Sequence, residues 1–290
     1  MNELCISVRS LKRADYLKQC LSSLERNIDL EGVDFYFFQD GAINPFSRIR
    51  YATEEEIETS LKTFQESKLP NKVIYKSNIN VGASIRNHYQ FTTLFPRYEY
   101  VVLVDNDLIF NRYYIKTLKV LFRQFKNDAN VGSLQTSFKH QRGKYQQKES
   151  AEKLERFVTY GFSHLWEMGL WREKWEKIKP YIEPYFKLTE NCDFKKLLYD
   201  KSVYKDIREK LKNIYGSYHG ITSEDYALMK AITMAGYTGI HTLTLRHKTV
   251  GEKGMYSFRG DRFKKDGFDC IGLYDVGNIN EYELITIPGG

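Results

Sequence analysis

The chain has 290 residues, of which 42% are hydrophobic and 28% charged, a balance that supports a large folded core and excludes a disordered chain. With 44 Lys and Arg against 37 Asp and Glu, the formal charge is +7, a mild excess suited to an anionic ligand such as a nucleotide, a phospholipid surface or a nucleic acid. The opening MNELCISVRSLKRADYLKQC lacks a charged-then-apolar leader pattern, and no run approaches the roughly 18 apolar residues that cross a bilayer. A cytoplasmic protein is expected, soluble or peripheral at a membrane surface. Cys5, Cys20, Cys192 and Cys270 are scattered and read as reduced thiols, with neither a disulfide frame nor zinc-site spacing.

In chain order, ELCISVRS is a short strand, and the helical spacing of Leu17, Cys20, Leu21 and Leu24 predicts an amphipathic helix from Arg13 to Asn27. VDFYFFQDGA reads as a second strand. TEEEIETSLKTFQES reads as a helix whose Thr53 and Glu56 have capping-box spacing. A third strand, KVIYKSN, and a helix, ASIRNHYQFTTLF, precede the long apolar run YVVLVDNDLIF. A helix follows from about Arg112 to Lys126, then a strand, VGSLQTSF. Strands alternating with helices indicate an α/β fold with a mostly parallel central sheet flanked by helices, in a single large domain.

Past residue 140 the pattern changes. KHQRGKYQQK is polar and basic, GFSHLWEMGLWREKWEKIKPYIEPYF is rich in tryptophan, and a charged helical region runs to about Asn213. SEDYALMKAITMAGY is a helix ending at Gly236, and TGIHTLTLRHKT reads as one alternating strand. On that reading His241 and His247 lie on one face but about 20 Å apart, too far to share a site.

Ligands of such sheets bind beyond the carboxyl ends of the strands, where Ser10, Asp40, Asn78 to Asn80 and Asp105 to Asp107 all fall. In an extended strand residues i and i+2 point to the same side, so Asp105 and Asp107 could face one divalent cation. Hard cations such as Mg²⁺ or Mn²⁺ take one or two carboxylates plus substrate phosphates and water. A solvated turn at a strand end is the competing reading.

Five segments together resemble the GT-A-fold, nucleotide-sugar-dependent glycosyltransferases of the family 2 group: ISVRSLKRADYLKQCLSSL, FFQDGA, NVGASIRNH, VVLVDNDLIF and SEDYALMKAITMAGY. They span roughly residues 3 to 250. The resemblance implies a Rossmann-like GT-A domain, with a nucleotide-sugar-binding half over 1–140 and an acceptor-binding and catalytic half over 141–290. It implies a metal-dependent hexosyl transfer from a nucleotide diphosphate donor, a UDP-sugar by expectation, to a glycan or glycoconjugate hydroxyl with inversion. Asp40, Arg86, Asp105 and Asn106 match donor-binding positions and Arg9 lies at the same rim. Asp105 and Asp107 match the ligands of Mn²⁺ or Mg²⁺, with His247 as an additional one. Asp225 matches the catalytic base, with Glu224 beside it. The second strand reads Gln39-Asp40-Gly41-Ala42 where such enzymes have Asp-Asp-Gly-Ser, and the first lacks their Pro-Thr-x-Asn.

Thr222 and Asp225 also have capping-box spacing, so Asp225 has a purely structural alternative. Trp166 and Trp171 are candidates for stacking on an acceptor, against core packing. Lys139, Arg142, Lys144 and Lys148 could meet an anionic acceptor, and Lys248, Lys253, Arg259 and Arg262 a diphosphate, where each could equally be solvated. A hydroxylated base in DNA is the alternative acceptor. A nucleotidyltransferase, which would show a glycine-rich phosphate loop, and a non-catalytic sugar-binding module are the remaining alternatives.

Overall fold

The computed structural model describes residues 3–138, 147–163, 165–216, 222–253, 260–265 and 267–286. The first half alternates as expected: β1 (Leu4–Ser10), α1 (Ala14–Glu25), β2 (Val33–Gln39), α2 (Glu54–Glu66), β3 (Lys72–Lys76), α3 (Gly82–Leu94) and β4 (Tyr100–Asp105). The Thr53 and Glu56 side chains each bond the other's backbone N–H, completing the capping box of α2. The apolar run that starts at Tyr100 does not continue as one strand. It turns at Asn106 and Asp107 and resumes as β5 (Leu108–Phe110) in a different sheet. Then come α4 (Tyr114–Gln124) and β6 (Val131–Gln135).

The second half contributes α5 (Lys148–Leu154), β7 (Phe157–Tyr160), β8 (Glu167–Trp171), α6 (Arg172–Thr189), α7 (Phe194–Tyr199), α8 (Lys205–Tyr215), α9 (Glu224–Met234), β9 (Thr238–Thr242), β10 (His247–Thr249), α10 (Gly260–Lys265) and β11 (Glu283–Leu284). TGIHTLTLRHKT is therefore two strands, not one. His241 lies in the large sheet and His247 in a two-stranded sheet with β5. The tryptophan-rich stretch is also more regular than its sequence suggests, for it holds β8 and the start of α6.

The large sheet has nine strands in the order β11-β7-β9-β6-β8-β4-β1-β2-β3. The pairs β1 with β2, β2 with β3, β1 with β4, β6 with β9 and β7 with β11 are parallel. The pairs of β8 with β4 and β6, and of β7 with β9, are antiparallel. One sheet thus takes strands from before and after residue 140. Strand periodicity sorts the core onto its two faces. Ile6, Val8, Phe35, Phe37, Val102 and Val104 pack with α1, α2 and α4, whereas Cys5, Tyr36, Val101, Leu103 and Leu170 pack with α3, α6 and α9.

On the second face, the polar end of β1 is matched by a polar stretch of α3. Ser7 Oγ accepts from Gln90 Nε2 at 2.6 Å, and the carbonyl of Ser10 accepts from Arg86 Nη1 at 2.9 Å. Burying Arg86, Asn87 and Gln90 in one helix is tolerable only because each finds a partner on β1.

The strand that the sequence conceals is held by a tight contact. At Gly169, in the middle of β8, a Cβ would lie 2.7 Å from Phe122 Cζ and 2.8 Å from Leu134 Cδ1. Gly169→Val is expected to lose ~2 kcal/mol by overpacking, measured by urea unfolding; wild-type stability would show that β8 packs more loosely than described.

Candidate functional site

The chain runs outward from β1 to β2 and β3, then returns to β4 on the other side of β1. That reversal opens a crevice at the carboxyl ends of β1 and β4, the place where open α/β sheets bind ligands. Asp105 ends β4, Arg9 is the penultimate residue of β1, and the two are partners in register. The Arg9 Nε donates to Asp105 Oδ1 in a close ion pair. Its Nη1 donates to Asn87 Oδ1 at 2.7 Å and lies 3.9 Å from Glu224 Oε1. Burial alone would lower the pKa of this guanidinium, which is 9% exposed, but Asp105, and then Glu224 and Asp225, raise it. Residues more than a hundred positions apart therefore meet around one buried cation.

Glu224 and Asp225 open α9, pointing the helix N-terminus at this cluster. The capping alternative for Asp225 does not form: Ser223 is the N-cap and makes no side-chain cap bond, and the Thr222 carbonyl accepts from Tyr185 Oη at 2.8 Å. Burial raises Asp225 well above the usual carboxylate range, the Glu224 charge raises it further, and Arg9 opposes both. Glu224 is also raised by burial, against the pull of Arg9. A carboxylate held this way has the high proton affinity a general base needs.

Asp107 belongs to the turn after β4, so it does not share the strand geometry of Asp105. Its Oδ2 accepts from Arg13 Nη1 at 2.9 Å. Burial pushes the Asp107 pKa up, Arg13 pulls it down, and the charge of Asp105 adds to the rise. The chain closes over this carboxylate from the far side, where the Val250 N–H donates to the Asp107 carbonyl at 2.8 Å. A Cβ on Gly251 would collide with the carboxylate itself, so only glycine fits there. Asn106 is committed internally: its Nδ2 donates to Ser10 Oγ at 2.9 Å and the Lys12 carbonyl at 3.0 Å, while its Oδ1 accepts from Arg13 Nη2 at 2.9 Å.

Asp40 is buried with both oxygens engaged. The N–H groups of Gly41, Val81 and Gly82 donate to it at 3.1, 2.8 and 3.2 Å, Asn80 Nδ2 at 3.1 Å, and Arg86 Nη2 lies 3.4 Å away. Burial raises its pKa, and Arg86 and these N–H groups counter the rise. In this structure Asp40 holds the entry to α3 and steers Arg86.

The other sequence candidates separate. His247 is fully buried opposite Phe110 in the β5–β10 pair, with Nε2 3.5 Å from Glu167 Oε2. Trp171 is a core residue, its Nε1 donating to the Phe122 carbonyl at 2.9 Å, so of the two readings packing holds for it. Trp166 borders the site: its carbonyl accepts from the Asp105 N–H at 3.0 Å and its ring meets Phe268 edge-on. Lys248 Nζ donates to the Ile271 carbonyl at 2.9 Å, and exposed Lys148 sits 3.8 Å from Glu152. Lys139, Arg142, Lys144 and Arg259 lie outside the described residues, as does the side chain of Arg262. Sequence reasoning missed Arg13 and Asn87. Both lie within segments that carry the resemblance, Arg13 in ISVRSLKRADYLKQCLSSL and Asn87 in NVGASIRNH, and the change from apolar to polar in the first turns of α3 is a further signal for Asn87.

Among the described residues, three guanidiniums (Arg9, Arg13, Arg86) face five carboxylates (Asp40, Asp105, Asp107, Glu224, Asp225), leaving a deficit of two positive charges when all are ionised. No group of three His, Cys, Asp or Glu side chains there forms a closed metal cage. Hard divalent cations shared with a phosphate ligand do not require one, and oxygen donors beside a raised Asp107 fit such a cation.

No protein-family model and no curated protein sequence matches the chain. Among solved structures it is similar to S. aureus TarS 1-349 in complex with UDP-GlcNAc, at 14% identity over 50% of this chain and 37% of that one, with a TM-score of 0.37. A second TarS 1-349 structure matches at 12% identity over 83% of this chain and 60% of that one, with a TM-score of 0.44. The mannosyltransferase PcManGT from Pyrobaculum calidifontis, in complex with GDP-Man and Mn²⁺, matches at 13% identity over 80% and 73%, with a TM-score of 0.42. The chain thus spans less than two thirds of either TarS chain.

Removing the central cation tests the cluster. Arg9→Met is expected to cost ~3 kcal/mol, because Asp105 and Glu224 lose a buried partner. The double variant with Asp105→Asn should cost less than the sum of the two single changes. Additive losses in urea unfolding would mean that the pair is not coupled.

Proposed function

We propose that the protein is a nucleotide-sugar-dependent glycosyltransferase that transfers a hexosyl group from a nucleoside diphosphate sugar, a UDP-sugar by preference, to an acceptor hydroxyl of a glycan or glycoconjugate. The observation that carries this reading is the meeting of Asp105 and Glu224 on Arg9, with Asp225 next to Glu224 in the first turn of α9, at the crevice where the strand order reverses. A base and a set of charged diphosphate-binding groups are what a displacement at an anomeric carbon requires. Here they converge from opposite ends of the chain.

Asp107 and Asp105 would hold Mn²⁺ or Mg²⁺, which when bound supplies charge stabilisation for the departing diphosphate. Arg86, buried between Asp40 and the Ser10 carbonyl, would act on the anionic donor through its charge and not by contact. Trp166, whose carbonyl is bonded by the Asp105 N–H, would border the acceptor. Asp225 takes the proton of the acceptor hydroxyl as its oxygen attacks the anomeric carbon. The bond to the diphosphate oxygen breaks on the opposite side, and the configuration inverts. Glu224 keeps the proton affinity of Asp225 high through its charge, and Arg9 keeps the pair in place.

A thermal-shift screen of nucleotide sugars with and without Mn²⁺ tests the donor. A donor at a hundred times its Kd should stabilise the fold by about 2.7 kcal/mol, and Asp107→Ala should remove the Mn²⁺-dependent part. No stabilisation by any nucleotide sugar would reject the proposal.

The base has its own test. Asp225→Asn should keep donor binding and lose on the order of 10²–10⁴ in kcat. In the wild type the acidic limb of kcat should lie above the usual carboxylate range. Glu224→Gln should move it to lower pH, because it removes the like charge that raises Asp225. The same raised pKa costs stability as pH rises from about 4, the ordinary value for Asp, through its folded pKa. Asp225→Asn should therefore raise Tm by ~2 °C at alkaline pH and leave it unchanged below about pH 4. Full turnover in Asp225→Asn would restrict the residue to a structural role.

A further inference from the structure

Arg13 is the one guanidinium of the cluster with a route to solvent. Its side chain is 27% exposed, against 10% for Arg9 and 8% for Arg86. Its Nη1 donates to Asp107 Oδ2 at 2.9 Å and to the Lys253 carbonyl at 3.2 Å, and its Nη2 donates to Asn106 Oδ1 at 2.9 Å. The guanidinium thus bridges Asp107 Oδ2, which the proposed cation would need, and the neighbouring Asn106 Oδ1.

We propose that Arg13 occupies the cation's place at Asp107 while no donor is bound, and that its guanidinium must leave before Mn²⁺ or Mg²⁺ can bind. The inference rests on the metal reading of Asp107 given above. A guanidinium and a divalent cation compete for the same lone pairs, so each bond that Arg13 makes to the turn is one the metal must displace. The remaining contacts decide which oxygens are released. Asp105 keeps its Oδ1 on Arg9, which is buried and tied also to Asn87, so only its other oxygen would serve a cation. The amide nitrogen of Asn106 stays with Ser10 and Lys12. Departure of Arg13 therefore frees Asp107 Oδ2 and Asn106 Oδ1 together, on a turn that does not itself have to move.

The backbone shows that this placement is enforced. Arg13 has φ 74° and ψ 56°, the left-handed region that non-glycine residues enter at a cost. Its carbonyl is nevertheless held by the Leu17 N–H at 3.1 Å, in the first turn of α1. The anchor is rigid and only the side chain can exchange. The Tyr16 ring, 5.5 Å from the guanidinium carbon, gives it an adjacent face to rest on.

The test is Mn²⁺ binding to the full chain without nucleotide, followed by the paramagnetic resonance of free Mn²⁺. Arg13→Gln and Arg13→Gly should each bind Mn²⁺ about tenfold or more tightly than the wild type, with Arg13→Lys between them and the wild type. Glycine suits the left-handed backbone, so the second variant keeps the test valid if the first folds poorly. Asp107→Asn should abolish binding in every background. Unchanged affinity in both Arg13 variants, with binding still lost in Asp107→Asn, would overturn the role of Arg13 and leave the metal site standing. Absence of Mn²⁺ binding in all variants would overturn both.

Discussion

The ion pair between Arg9 and Asp105 is the constraint on which the site depends. It joins neighbouring parallel strands at the carboxyl ends where the strand order reverses, and it reaches from there to α3 through Asn87 and towards α9 through Glu224. A charge so buried is costly to desolvate and is tolerable only if its partners are exact in geometry. That cost makes the pair an organising element: β1, β4, α3 and α9 must all be in place before the guanidinium is satisfied. The polar side of α3, otherwise an anomaly in a buried helix, follows from the same need. Gln90 meets Ser7, Asn87 meets Arg9 and Arg86 meets Ser10, in step along one face of β1.

The cluster is also a compromise between stability and chemistry. Asp107, Glu224 and Asp225 all have pKa values raised by burial, so each is held at the expense of the fold. Hydrophobic replacements would relieve that cost, as they do for many buried ion pairs. A site that must bind a diphosphate and remove a proton from a hydroxyl has opposite demands, needing positive charge on one side and a proton acceptor on the other. Arg9 serves both by lying between Asp105 and Glu224, screening one from the other. The excess of carboxylates is what makes an added cation favourable here.

Much of the fold was legible because its elements follow simple periodicities. The valines of β4 mark a strand covered on both faces, and Thr53 with Glu56 announces the cap of α2 that the structure forms. The errors have physical causes. The run from Tyr100 to Phe110 is apolar on both sides of the turn, so nothing local shows that Leu108–Phe110 leaves for another sheet. In TGIHTLTLRHKT the alternation of Leu243, Leu245 and His247 survives the same kind of departure. The strand β8 is followed by α6 without a loop, Trp171 being both its last residue and the helix cap. Asp105, Asp107, Glu224 and Asp225 stood out in sequence because carboxylates at element ends are conspicuous. Arg86 and Arg9 entered only through the resemblance and the rim, and Arg13 not at all, since an arginine in ISVRS or LKRAD is indistinguishable from a solvated one until the strands are ordered.

The second, two-stranded sheet then acquires a purpose. By leaving the main sheet, β5 forces the turn at Asn106 and Asp107, and by pairing with β10 it brings the segment from Val250 to Lys253 back onto that turn. Gly251 packs on the Asp107 carboxylate where no side chain could fit, and the Lys253 carbonyl shares Arg13 with it. The two sides of Asp107 therefore differ in kind. One is backbone, fixed by the β5–β10 pairing and closed to ligands. The other is the Arg13 side chain, anchored at a strained residue but free at its tip. Among the described residues, the exchangeable side of this carboxylate is therefore the one that Arg13 occupies, on the turn that follows the Arg9–Asp105 pair at the end of β4.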